Sequence, residues 1–295
     1  VSAGAVEFRE RDARARGIGV RCQGVVHLYR TFEGHDVVAL RGVDLEIAAG
    51  ERVAFLGPSG SGKSTLLQLL GGIQRPSAGR IFLGDEEISR MGERYLARIR
   101  SRSVSTMLQG AIRNLLPYAT ARQNIGFARL ALSSADRRDA MLERELLGRV
   151  GLDEQADQTV STMSGGQRQR LALACAVSTG PELLLADEPT SQLSHKDRDH
   201  VLHLIHSVGD DFGTTIVVVT HQPEVAATFP RTVTMKGGRV GAEGRDGSEY
   251  VVIGADGDLH LPGHLSTEWP PGTLVRIEDE GTGRLVISRA DEESQ

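Results

Sequence analysis

Nine consecutive residues, Gly57, Pro58, Ser59, Gly60, Ser61, Gly62, Lys63, Ser64 and Thr65, limit the folds open to this chain. They fit G-x-x-x-x-G-K-[ST], a phosphate-binding loop that needs a strand before it and a helix after it. Both flanks comply. Residues 52–56 (RVAFL) form a short apolar run suited to a buried strand, and Leu66, Leu67, Leu69 and Leu70 recur at helical spacing. Glycines let the backbone fold back so that successive N–H groups face an anion. The helix N-terminus adds a partial positive charge worth about 0.3–1 kcal/mol, and up to about 2 when partly buried. Lys63 can reach terminal phosphates, and Ser64 can place a hydroxyl on Mg²⁺ with Thr65 beside it.

The remaining composition narrows the setting. A chain of 295 residues with 39% hydrophobic content has room for one large domain, or one with a small companion. Its net charge of -5 gives no general electrostatic case for nucleic acid. Two cysteines far apart, Cys22 and Cys175, predict burial in a reducing compartment rather than a disulfide framework. The longest apolar runs, 183–186 and 216–219, fall far short of the roughly 20 residues that span a bilayer. No apolar stretch follows the charged 9–16 segment, so a signal peptide is not expected. The expectation is a soluble chain whose membrane role, if any, runs through a partner.

Read in order, residues 1–19 are mixed in charge and rich in Gly and Ala, and are expected to be a poorly ordered leader. Strand patterns follow from residue 20. Tyr29 lies on one of them, either stacking on a base or serving as an ordinary strand aromatic. After the loop helix, 75–79 reads as a turn, then RIFLG as a strand, and a helix is expected over 89–99. The run SVSTMLQG predicts a strand ending at Gln109, whose amide could meet a metal ion or water. Residues 124–150 have a charge-laced helical pattern, expected as an inserted helical layer. Ser164, Gly165, Gly166 and Gln167 precede a helix predicted over 168–177. They form either a second anion cradle or a plain serine cap.

Residues 182–190 (ELLLADEPT) place Asp187 and Glu188 at the carboxyl end of a buried strand, where open α/β sheets bind ligands. Asp187 can hold Mg²⁺ and Glu188 can polarise an attacking water. Adjacent acids at such a tip are costly without a cation or a job. The strand over 215–220 ends in His221, which either could hydrogen-bond a γ-phosphate and the water or is an ordinary satisfied polar residue. Residues 232–240 close a hairpin around Gly237 and Gly238.

With these residues in place the sequence resembles the nucleotide-binding subunit of ABC transporters over about 20–243. The SGGQ at 164–167, between a phosphate loop and an Asp-Glu strand, is the specific sign. The resemblance implies a P-loop NTPase fold of α/β class, with a RecA-like, mostly parallel sheet, an antiparallel β layer and an inserted helical subdomain. It implies that Tyr29 stacks on adenine and that the residues from Gly57 to Thr65 bind the phosphates of ATP. Gln109 lies near Mg²⁺ and couples to the membrane partner, and Asp187 and Ser64 hold the metal. Glu188 is the catalytic glutamate and His221 the switch histidine. Ser164 to Gln167 is the signature, which binds the γ-phosphate of ATP held by the opposite subunit of a head-to-tail dimer. The 114–118 run (NLLPY) is similar to the macrolide-export and lipoprotein-release branch. Three positions depart from the family: Met163 for leucine, Cys175 for arginine, and Ser194 for the aspartate that helps couple the two sites.

Residues 244–295 are extra to that resemblance. They predict short strands over 249–253, 258–261, 274–278 and 284–288, and part of them is similar to an AbrB-type swapped-hairpin domain. Four basic against eleven acidic residues argue against DNA there. A dimerising or regulatory addition and a β-rich tail packed on the ATPase both remain open. The resemblance implies an ATP-hydrolysing subunit, cytoplasmic and peripheral on the inner membrane face, that drives a separate integral membrane permease. Two alternatives are a mechanotransmission ATPase that regulates a membrane protein without moving solute, and a soluble ABC ATPase acting on nucleic acid.

Overall fold

The computed structural model describes residues 17–30, 34–130, 132, 143–191, 193–245, 248–251, 269–270, 273–281 and 284–289. The centre is a seven-stranded sheet. Its parallel part consists of β3 (Arg52–Leu56), β6 (Val104–Met107), β7 (Leu183–Asp187), β8 (Thr215–Thr220) and β9 (Arg231–Lys236). The antiparallel strands β10 (Arg239–Arg245) and β11 (Ser248–Val251) extend one edge, giving the order β11-β10-β9-β3-β8-β7-β6. Parallel strands covered on both faces read as continuous apolar runs. Every residue of β7 and β8 is buried accordingly.

Alternate residues of each strand serve different cores. Val53, Phe55, Leu183, Leu185, Val217 and Val219 face the cluster shared with helix α1 (Lys63–Leu70) and a second sheet. That sheet is antiparallel: β1 (Val20–Arg30), β2 (Asp36–Ile47), β4 (Ala78–Leu83) and β5 (Glu86–Glu87), in the order β2-β1-β4-β5. Ala54, Leu184, Ala186, Ile216 and Val218 face the other cluster, built with the helices that follow α2 (Glu93–Arg102). These are α3 (Ala121–Ala128), α4 (Glu143–Arg149), α5 (Gly165–Val177), α6 (His195–Phe212) and the short α7 (Pro223–Ala226). Leu66, Leu67, Leu69 and Leu70 bury the inner face of α1, each worth about 1.5–3 kcal/mol. That burial fixes where the phosphate loop ends and its helix begins.

Several boundaries differ from the sequence expectation, each for a local reason. The helix expected from residue 89 starts at Glu93. Ser89 instead accepts from Ile81 N at 3.2 Å and donates to Glu87 at 3.0 Å, which ties it to the β4–β5 turn. Strand β6 stops at Met107, and Leu108 pairs with the side chain of Asn114 rather than with β7. Helix α3 begins before residue 124 because Thr120 and Gln123 form a capping box. Helix α5 begins at Gly165, not 168, so both glycines lie in its first turn. In the tail, β11, β12 (Val275–Asp279) and β13 (Leu285–Arg289) occur near three expected strands. Of the leader expected over 1–19, residues 1–16 lie outside the described residues, as does the strand expected over 258–261, while Ile18 N donates to Glu182 O and Gly19 O accepts from Gly84 N.

Candidate functional site

The chain leaves β3 at the centre of the sheet and enters a loop held from outside by backbone. A Cβ on Gly57 would lie 2.2 Å from Met235 O, and one on Gly62 would lie 2.6 Å from Ala39 O. Gly238 N donates to Ser61 O at 3.2 Å. Strand β2 and the β9–β10 hairpin therefore set the loop's position. Gly62 has φ 96° and starts α1 without a side-chain cap, so the helix presents its first turn with no serine or aspartate in front of it. Lys63 folds back to donate to Gly57 O and Pro58 O, both at 2.8 Å, and to Ser61 Oγ at 3.2 Å. Burial lowers its pKa, and Glu188 and Asp187 pull it back up.

The loop floors a cleft of about 1000 Å³. Tyr29, Val37, Ala39, the stretch from Gly57 to Thr65, Gln109, Glu188, Val219 and His221 line it. The Tyr29 hydroxyl donates to Gln74 Oε1 at 3.1 Å and lies 3.2 Å from Thr65 Oγ1, so the ring is tethered to the loop helix. Ser64 donates to Asp187 Oδ1 at 3.0 Å. Burial raises the pKa of Asp187. The Ser64 hydrogen bond opposes that rise, Glu188 adds to it and Lys63 opposes it.

Glu188 carries the local strain. It is the non-glycine residue with positive φ among the described residues, at 51°. Such a conformation costs on the order of 1–3 kcal/mol and persists only when its surroundings enforce it. They do so here. Glu188 N donates to Val219 O at 2.9 Å, and Gln169 Nε2 donates to Pro189 O at 2.6 Å from α5. The strained backbone turns the carboxylate toward β8, where His221 Nδ1 lies 2.7 Å from Oε1. A carboxylate only accepts, so Nδ1 is the donor in this contact. The other oxygen, Oε2, is buried with no protein partner.

One chain thus gathers Tyr29, the phosphate loop, Gln109, Asp187, Glu188 and His221. Ser164, Gly165, Gly166 and Gln167 do not line this cleft. Ser164 caps α5, with Gln167 N donating to its hydroxyl at 3.2 Å and Gln167 Oε1 accepting from Ser164 N at 2.8 Å. Sequence reasoning missed two supports. Asn114 holds the backbone beside Gln109 through Leu108 N, Leu108 O and Gly110 O. Gln169 braces the turn after Glu188, and nothing in its sequence setting between Arg168 and Arg170 marks it.

A phosphate loop with strand-tip acids and a histidine on a parallel sheet defines a nucleotide-hydrolysing protein of the P-loop class. The ABC transporter family model matches residues 40–191. The lipoprotein-releasing system ATP-binding protein LolD of Chromohalobacter salexigens is 37% identical over 224 residues, 76% of this chain and 93% of that protein. LolD 1 of Caulobacter vibrioides is 40% identical over 231 residues, 77% of this chain and 96% of its own. A solved ATP-binding cassette, dimeric in a post-hydrolysis state with ADP and Pi, is 33% identical with a TM-score of 0.68. That similarity covers 77% of this chain and 98% of the other. The chain belongs to the ABC transporter family as an ATP-binding, ATP-hydrolysing subunit. No helix among the described residues is long and apolar enough to cross a membrane.

ATP and Mg²⁺ are the family's ligands, and the residues fit both. Gly57 and Gly62 leave no room for side chains where the loop folds over, and α1 opens uncapped toward the cleft. Ser64 and Asp187 offer the hydroxyl and single carboxylate that suit Mg²⁺, which keeps several waters and binds through one or two carboxylates plus phosphate.

Proposed function

We propose that two copies of this chain, or this chain and a paired ATPase subunit, close head to tail around two ATP molecules and drive a separate integral membrane permease. The cleft within one chain has a phosphate floor, an aromatic end and a water-activating wall. Its signature turn faces elsewhere, as a shared site requires. Lys63 and the backbone from Gly57 to Thr65 hold the phosphates, with Ser59, Gly60 and Ser61 at the bend. Tyr29 supports the base. Ser64, Asp187 and Gln109 hold Mg²⁺, which when bound neutralises charge developing on the phosphates. Glu188 orients and polarises the attacking water, and His221 holds the Glu188 carboxylate in place. Ser164, Gly165, Gly166 and Gln167 reach the nucleotide of the opposite subunit.

The observation that carries this reading is the Glu188–His221 pair at the tips of adjacent strands, with a buried carboxylate oxygen left for a proton-bearing group. The test is Glu188→Gln. Loss of a positioned base costs roughly 10²–10⁴-fold, so turnover should fall by that much while ATP still binds. Near-normal turnover would falsify the assignment. The 114–118 run and the lipoprotein-releasing relatives support a permease of the lipoprotein-release or macrolide-export kind. Glu188→Gln captured from native membranes with ATP and Mg²⁺ should bring down a multi-span membrane protein. Soluble proteins or nucleic acid alone would reverse that part.

A further inference from the structure

The start of α5 is tied to the start of α6 by a carboxylate from an unexpected position. Ser194 caps α6 where the family has an acid, and its hydroxyl donates to Asp197 Oδ2 at 2.8 Å. Asp197, three residues on, forms an ion pair with Arg170 of α5. The two side chains are 15% and 30% exposed, Arg170 and Asp197 respectively, so the pair is sheltered rather than a solvated surface contact. A Cβ on Gly166 would lie 3.1 Å from Asp197 Oδ2, so the carboxylate rests directly against the signature backbone. One residue before Arg170, Gln169 donates to Pro189 O. The second turn of α5 is therefore fastened to both ends of the segment from Glu188 to Asp197.

We propose that Asp197 is a positioning residue of the ATPase: through Arg170 and its contact with Gly166 it fixes the 164–167 turn relative to the loop after Glu188. It takes over one helical turn along the coupling that Ser194, lacking a carboxylate, does not supply. The inference rests on the reading that the 164–167 turn serves the opposite subunit's nucleotide. Asp197→Asn keeps the shape and the Ser194 contact but removes the charge. A charge-assisted hydrogen bond is worth enough that its loss frees the turn on the order of tenfold.

The test uses the full chain. Backbone hydrogen exchange at Gln167 and Arg168, whose amides donate to Ser164 Oγ and Ser164 O, is measured in the free protein. Turnover against ATP concentration, equilibrium binding of a fluorescent ATP analogue and thermal unfolding follow for Asp197→Asn, alone and with Ser194→Asp. The expected result is exchange at Gln167 and Arg168 faster by about tenfold and kcat lower by about tenfold. Analogue binding should stay within about twofold and turnover should recover with Ser194→Asp. Unchanged exchange, or analogue binding that falls in step with turnover, overturns the proposal and leaves a structural strut. The exchange measurement needs no nucleotide. Accelerated exchange together with undiminished turnover in Glu188→Gln would therefore reject the functional reading and not this contact.

Discussion

Two glycines of the phosphate loop, two residues apart, separate backbone strain from steric conflict. Gly60 has φ 78° and a Cβ there would meet nothing within 4 Å. Gly62 has φ 96°, and its Cβ would lie 2.6 Å from Ala39 O and 2.8 Å from Leu40 Cδ2. Alanine at either position bears the left-handed cost, about 1–2 kcal/mol. At Gly62 it also drives into backbone oxygen that a strand holds in place, an overpacking cost of typically about 1–3 kcal/mol. Gly60→Ala should therefore lose about 1–2 kcal/mol and Gly62→Ala about 2–5 kcal/mol. In a domain of this size each kcal/mol lowers Tm by about 2–4 °C, so the two melts should separate by several degrees without ligand. ATP should raise the melting temperature of Gly60→Ala, because ligand that binds the folded state stabilises it. It should do little for Gly62→Ala, whose loop must shift off β2. Differential scanning fluorimetry with and without ATP reads both effects. Equal destabilisation of the two variants would refute the argument that β2 sets the loop's position.

Asp187 gives a prediction about pH. Its pKa is raised by burial, so the folded state holds the proton more tightly than the unfolded chain. The stabilising effect is complete below the unfolded pKa and lost as pH rises through the folded one. Asp187→Asn should thus be more stable than the native protein at pH 7 by on the order of a few degrees in Tm, with the gap closing toward pH 3–4, while turnover is lost. A variant less stable at pH 7 would contradict this. The two cysteines are buried and their thiols are pushed up to about 12, so neither should react with a thiol reagent at pH 8 until the chain unfolds. Arg231 is buried between Glu51 and Glu243; burial lowers its pKa, but the two acids outweigh that and hold it raised. Arg231→Met leaves Glu243 with Arg245 and Glu51 with Ala48 N, so it should cost about 1–3 kcal/mol, read in a denaturant melt.

Much of the site could be read in the sequence because each part combines a residue type with a place on a strand. Glycines and a lysine after RVAFL, two acids after LLLA and a histidine after TIVVVT each follow a buried parallel strand. A sheet of that kind gathers its carboxyl ends along one edge. The structure places the loop, Glu188 and His221 on one cleft, and Asp187 beneath it against Ser64, as that rule requires. What was illegible depends on side-chain partners rather than pattern. Ser89 lies where the helical period begins, yet its hydroxyl is used by Ile81 and Glu87 and the helix starts later. Asn114 and Gln169 look like ordinary polar residues until their backbone partners are seen. Arg170 and Asp197 sit 27 positions apart on helices whose packing no local rule fixes. Of the two readings of Ser164 the helix cap is seen, and the turn it caps does not line its own chain's cleft.

The features that break local rules fall on consecutive residues. Asp187 is a buried acid with a raised pKa, Glu188 has a left-handed backbone, and one of its carboxylate oxygens is buried without a partner. Each is destabilising by itself. They persist because the strand beneath them is tightly constrained. All of β7 is buried between two apolar clusters and paired on both sides, by β6 and β8. Packing there holds the backbone, and Gln169, Val219 and His221 aim what protrudes from it. A sequence under no functional demand would place an asparagine or glycine at such a tip. Two acids beside a lysine that is itself buried argue that this strand end serves chemistry, at the expense of stability the rest of the sheet supplies.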